Sequence, residues 1–126
     1  MKLRIRGNTL RLRLSRGEVK ALAESGAVRE EIAFGSAATE RLGYAIVASD
    51  EAKATSARLT GGSVEVLVPR TLAREWAANE TVGLEAEQAI GGGLSLSILV
   101  EKDFACLTPR KGEDDTDAFP NPNETC

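Results

Sequence analysis

The feature that most constrains this chain is an internal repeat. Sliding the segment that begins at Arg4 along by 54 positions carries Arg4 onto Arg58, Gly7 onto Gly61, Arg16 onto Arg70, Ala23 onto Ala77 and Val28 onto Val82. The apolar pattern between these identities also matches. Leu10, Leu12 and Leu14 fall over Val64, Val66 and Val68, and Val19, Leu22 and Ala23 fall over Ala73, Trp76 and Ala77. Two copies of one unit imply a pseudo-twofold axis. A chain of 126 residues is one domain by length, so the copies are two halves of one core and not two separate domains.

Each half reads β-β-α-β-β. Leu3 and Ile5 alternate with Lys2, Arg4 and Arg6, Gly7-Asn8 supplies a tight turn, and Leu10, Leu12 and Leu14 alternate with Arg11 and Arg13. Ser15-Arg16-Gly17-Glu18 predicts a capping box, and Ser25-Gly26 a helix stop. Val28–Phe34 and Tyr44–Ala48 are the next strand candidates, followed by a polar link at 50–55 with a helical turn as one option. Copy two repeats the order: Ser56–Thr60, Val64–Val68, a helix after Pro69 with Trp76 facing the core, then Val82–Ala86 and Leu94–Glu101 on either side of Gly91-Gly92-Gly93. That glycine run feeds a strand and not a helix, so it reads as a hairpin turn.

The expected fold is therefore α+β. The duplicated β-β-α-β-β unit would form a curved, mostly antiparallel sheet or an incomplete barrel, with two helices packed on it. The halves lie at about 1–49 and 56–103 within a domain spanning 1–107. Residues 108–126 read as an acidic, proline-containing tail, with the run Glu113-Asp114-Asp115-Thr116-Asp117 and a single large apolar residue, Phe119.

Composition narrows the function classes. The chain has no histidine, which removes the commonest general base and metal ligand. A net charge of −3 argues against a duplex-DNA binder. Two cysteines, Cys106 and Cys126, cannot close a four-ligand zinc site without histidine. The alternating start is unlike a signal peptide and no run reaches the length of a membrane span, which together predict a cytoplasmic protein with no membrane partner.

Two constellations could carry chemistry. Lys2, Arg4 and Arg6 should share a face with Arg11 and Arg13 on the hairpin partner. Arg4, Arg6, Arg11 and Arg13 are the candidate anion site, against the alternative of a solvated face paired with acids from Glu30, Glu65, Glu85, Glu87 and Glu101. Glu85 and Glu87 point the same way on one strand and are the candidate metal pair, Mg²⁺ being the ion such carboxylates take.

Combining these features gives an architecture similar to that of the triphosphate tunnel phosphohydrolases, which close eight antiparallel strands around a channel of acids and bases. Their signature Glu-x-Glu-x-Lys is not matched: Glu85-Ala86-Glu87-Gln88-Ala89 lacks the lysine. Over nearly its full length the chain resembles a group of small bacterial proteins with no assigned function. The likeness is carried by Gly7–Leu14, by Val100–Leu107 and by Phe119-Pro120-Asn121-Pro122-Asn123. It implies a stand-alone bacterial domain and no particular activity.

The leading expectation is a non-enzymatic binding or interaction module that uses a charged sheet face and needs no cofactor. Its partner would be a protein or a small anionic ligand. Exposed sheet edges offer a route to a homodimer. The alternative is a metal-dependent phosphohydrolase, or a sensor of a phosphorylated small molecule, in a tunnel-like barrel.

Overall fold

A computed structural model describes residues 1–104. The elements run β1 (Lys2–Arg6), β2 (Thr9–Leu14), α1 (Arg16–Ser25), β3 (Ala27–Ala33), a short 3-10 turn (Ala38–Glu40), β4 (Arg41–Ser49), β5 (Ser56–Thr60), β6 (Ser63–Pro69), α2 (Arg70–Ala78), β7 (Gly83–Gly91) and β8 (Leu94–Lys102). Each half is β-β-α-β-β, as the repeat predicts. The link between the halves is a series of bends with no helical turn.

The local signals act as their chemistry requires. Ser15 caps α1 by accepting the Glu18 N–H, while the Glu18 carboxylate accepts the Ser15 N–H at 2.9 Å. Gly26 ends α1 at φ 86°, a left-handed conformation that costs glycine little. Pro69 stands at the N-cap of α2, and Asn79 closes that helix.

The strands are shared between two four-stranded sheets and do not close into a barrel. The first has the order β1-β2-β8-β7, the second β3-β4-β6-β5. Every hairpin is antiparallel, but the two middle strands of each sheet are parallel: β2 with β8, and β4 with β6. Each sheet therefore takes one hairpin from each half. A periodicity of two tells which residues share a face; it does not tell which strand lies alongside. The partition follows from burial. The middle strands carry the completely covered residues Leu12, Leu14, Ile46, Val66, Val68 and Val100. The edge strands β1 and β3 are mostly exposed and carry their charges there.

One apolar cluster joins both sheets to both helices. Leu10, Leu12, Leu14, Ile98 and Val100 enter from the first sheet, Ile46, Ala48, Ala57, Val66 and Val68 from the second. Val19 and Leu22 of α1 and Ala73 and Trp76 of α2 complete it. Each large side chain of this kind contributes roughly 1.5–3 kcal/mol by leaving water.

The registers also correct one detail of the repeat. Val28 stands opposite Ile46 in β3–β4, and Leu84 stands opposite Val100 in β7–β8. Leu84 is thus the counterpart of Val28, and Val82 precedes its strand. The offset grows by two residues there because the link 79–82 between α2 and β7 is three residues longer than Gly26, which alone joins α1 to β3, while α2 is one residue shorter than α1.

Candidate functional site

The outer face of the first sheet gathers the charged residues singled out above. Registers place Lys2 opposite Arg13, Arg4 opposite Arg11 and Arg6 opposite Thr9. Across the parallel pair, Arg13 meets Glu101, Arg11 meets Leu99 and Thr9 meets Ser97. On β7, Glu85 stands opposite Leu99 and Glu87 opposite Ser97. Directly opposed residues share a face. Arg4, Arg6, Arg11, Arg13, Glu85 and Glu87 therefore lie on one surface, cations on β1 and β2 and acids on the far edge strand.

Glu101 is the centre of the cationic side. Its Oε1 accepts from Arg11 Nε at 2.5 Å, from Arg13 Nε at 3.2 Å and from Arg13 Nη2 at 3.1 Å. One carboxylate thus answers two guanidinium groups. Lys2 pairs with Asp103 at 3.0 Å. Arg4 and Arg6 are exposed and form no ion pair among the described residues.

The acidic side is separate. Glu87 accepts from Ser97 Oγ at 2.5 Å and from Ser95 Oγ at 3.2 Å, and the arginines do not reach it. Thr9, Glu85, Glu87 and Ser97 line a shallow hollow. Among the described residues, no group of three or more acids or thiols is placed to hold a metal ion. Cys106, Cys126, Phe119 and the acidic run at 113–117 lie outside the described residues.

The second sheet has a matching ladder. Glu65 lies between Arg29 and Arg58, at 3.5 and 3.4 Å. Here a glutamate occupies the place that Arg11 holds in the first sheet, so the ladder alternates in sign. The excess of cations belongs to the first sheet.

The model of a family of unknown function, DUF7009, matches residues 1–123. The chain belongs to that family. No curated protein and no solved structure matches it. DUF7009 membership brings no activity with it, so the chemistry has to be read from the residues.

Two further features of this DUF7009 chain escape a sequence reading. The first is a polar knot at the start of β1. The Met1 ammonium pairs with Glu18 and, at 3.0 Å, with Glu30. Burial works against the charged amine, but the two carboxylates outweigh it and hold its pKa above the usual 8.0. Burial likewise opposes ionised Glu18, and the ammonium and the Ser15 hydrogen bonds outweigh that to lower its pKa. Burial and the neighbouring Glu30 charge push the Tyr44 hydroxyl up.

The second is a cavity of about 970 Å³ between α1, α2 and the end of β8. Val19, Ala23, Ala77 and Phe104 give it an apolar wall, and Arg16, Lys20, Arg74 and Lys102 bring cations to it. The signal that could have found it is the repeat itself: at the original offset, Asp50 of the first half falls on Phe104 of the second. No helix among the described residues is long and apolar enough to cross a membrane.

Proposed function

We propose that this chain is a cytoplasmic bacterial interaction module, without catalysis of its own, that holds the anionic groups of a partner protein on the outer face of its first sheet. The observation that carries this reading is the imbalance around Glu101. Arg11 and Arg13 converge on a single carboxylate oxygen, while Arg4 and Arg6 beside them are exposed and meet no carboxylate among the described residues. Like charges on adjacent strands repel, so a row of this kind gains when an anion sits across it. Guanidinium groups also suit carboxylates and phosphates through paired N–H donors. The open position of the arginines favours a binding surface over the enclosed channel that a tunnel phosphohydrolase needs.

The test is titration of the chain with poly-glutamate and with tripolyphosphate at several salt concentrations. Saturable binding that weakens with salt, and that drops in the double variant Arg4→Ala, Arg6→Ala while the fold is retained, supports the reading. Equal binding by that variant, or no binding at low salt, overturns it.

A further inference from the structure

The two halves treat corresponding positions around their helices differently. Arg70, the first residue of α2, is held in place by an ion pair. Its Nε donates to Asp50 Oδ1 at 2.7 Å and its Nη2 to the Ala48 carbonyl at 3.3 Å. Its guanidinium lies over Gly26, within 3.5 Å of where a Cβ would stand. The repeat maps Arg70 onto Arg16, Asp50 onto Phe104, Ala48 onto Lys102 and the single residue Gly26 onto the longer link 79–82. On that side Arg16 is exposed and forms no ion pair among the described residues. In place of the carboxylate there is the 970 Å³ cavity, with Phe104 in its wall.

We infer that this cavity is a binding site for a small carboxylate with an apolar body, whose carboxylate takes the part with Arg16 that Asp50 takes with Arg70. The inference is independent of the charged sheet face. The volume lies in the range of about 300–1,000 Å³ typical of small-molecule sites. Val19, Ala23, Ala77 and Phe104 offer surface to an apolar body. Lys20 and Arg74, which the repeat also makes equivalent, stand on the two helices without ion pairs among the described residues and add positive charge. The acids that also line it, Glu24, Glu80 and Asp103, the last paired with Lys2, oppose a second anionic group, which favours a monocarboxylate over a polyanion. A guanidinium meeting a carboxylate forms a charge-assisted, geometrically selective pair.

The experiment uses the full chain and sodium octanoate as probe, with 1-octanol as the uncharged analogue, followed by calorimetry and amide chemical shifts. Saturable octanoate binding is expected, with shifts at Ala23, Ala77 and Phe104, and 1-octanol weaker by about tenfold or more. Arg16→Gln should lose a similar factor, and the Arg4→Ala, Arg6→Ala variant should bind octanoate normally. Phe104→Asp should reproduce the paired arrangement of the other half, abolishing octanoate binding and raising the melting temperature. Equal binding of octanoate and 1-octanol, indifference to Arg16→Gln, or no saturable binding overturns the inference. A fourth variant neutralises the chain's own acids (Glu113→Gln, Asp114→Asn, Asp115→Asn, Asp117→Asn). If it alone binds octanoate, the site belongs to the chain's own carboxylates and the free-ligand assignment fails.

Discussion

The carboxamide of Gln88 on β7 clasps the backbone of Ala57 on β5. Its Oε1 accepts the Ala57 N–H at 2.7 Å and its Nε2 donates to the Ala57 carbonyl at 3.0 Å. A side chain of one sheet thus acts as the next ladder rung for the edge strand of the other. The repeat places Ile32 at the corresponding position of the opposite seam, where it is 48% exposed.

Removing this clasp should cost more than a surface substitution. Gln88→Leu leaves both Ala57 groups without their partner, a loss of about 1–3 kcal/mol. Urea denaturation measures it. Amide exchange at Ala57 should quicken, while that at Val66 in the middle of the same sheet stays slow.

Trp76 is 1% exposed, and its indole N–H has no hydrogen-bond partner among the described residues. Trp76→Phe removes that uncompensated group along with some packing, so it should cost clearly less than the roughly 3–5 kcal/mol expected of Trp76→Ala. Thermal denaturation of the two variants tests the difference. Equal losses would show that volume alone matters at this position.

Glu101→Gln should separate stability from binding. It withdraws the charge that two partly buried arginines share. Stability should fall by about 1–2 kcal/mol at low salt. Affinity for tripolyphosphate should rise, because Arg11 and Arg13 become free to meet it. A fall in both quantities would mark the arginines as structural.

The Met1 knot predicts stability losses on both sides of neutral pH. The amine pKa is raised in the fold, so its contribution is complete below about 8 and is lost as pH rises through the folded value. The Glu18 pKa is lowered, so its contribution is complete above about 4.5 and is lost as pH falls through the folded value. Melting temperature followed against pH should show both slopes. Acetylating the α-amino group should remove the alkaline slope and lower the plateau by about 4 °C or more, the effect of roughly 1 kcal/mol.

Much of the fold was legible because it rests on local rules. Alternation located the strands, Ser15 and Glu18 announced α1, and Gly26 ended it. The spacing of Val19, Leu22, Ala73 and Trp76 marked the helix faces that enter the core. Strand partnership was not legible. Leu12 reads the same whether its neighbour is a strand of its own half or, as found, Val100 of the other. The charged face was legible in its membership but not in its pairing. Arg4, Arg6, Arg11 and Arg13 share a surface as their spacing requires, yet Glu101 serves the arginines and Glu87 serves two serines. The cavity beside Arg16 escaped a reading of motifs and periodicity, since its one sequence signal is an aspartate in one copy, Asp50, standing where the other has Phe104.

Because each sheet is built from both halves, neither half holds a complete sheet of its own. Such an arrangement is the one that two identical subunits would make by exchanging hairpins, here joined through the link at 50–55. A true dimer of that kind is bound to repeat every residue on both sides of its axis. A single chain is released from that obligation. It can keep the symmetric scaffold, answer the arginine at one of two equivalent positions with its own carboxylate at Asp50, and set Phe104 at the other, beside Arg16. Duplication of this sort turns a symmetric assembly into one in which the two sides can be selected separately.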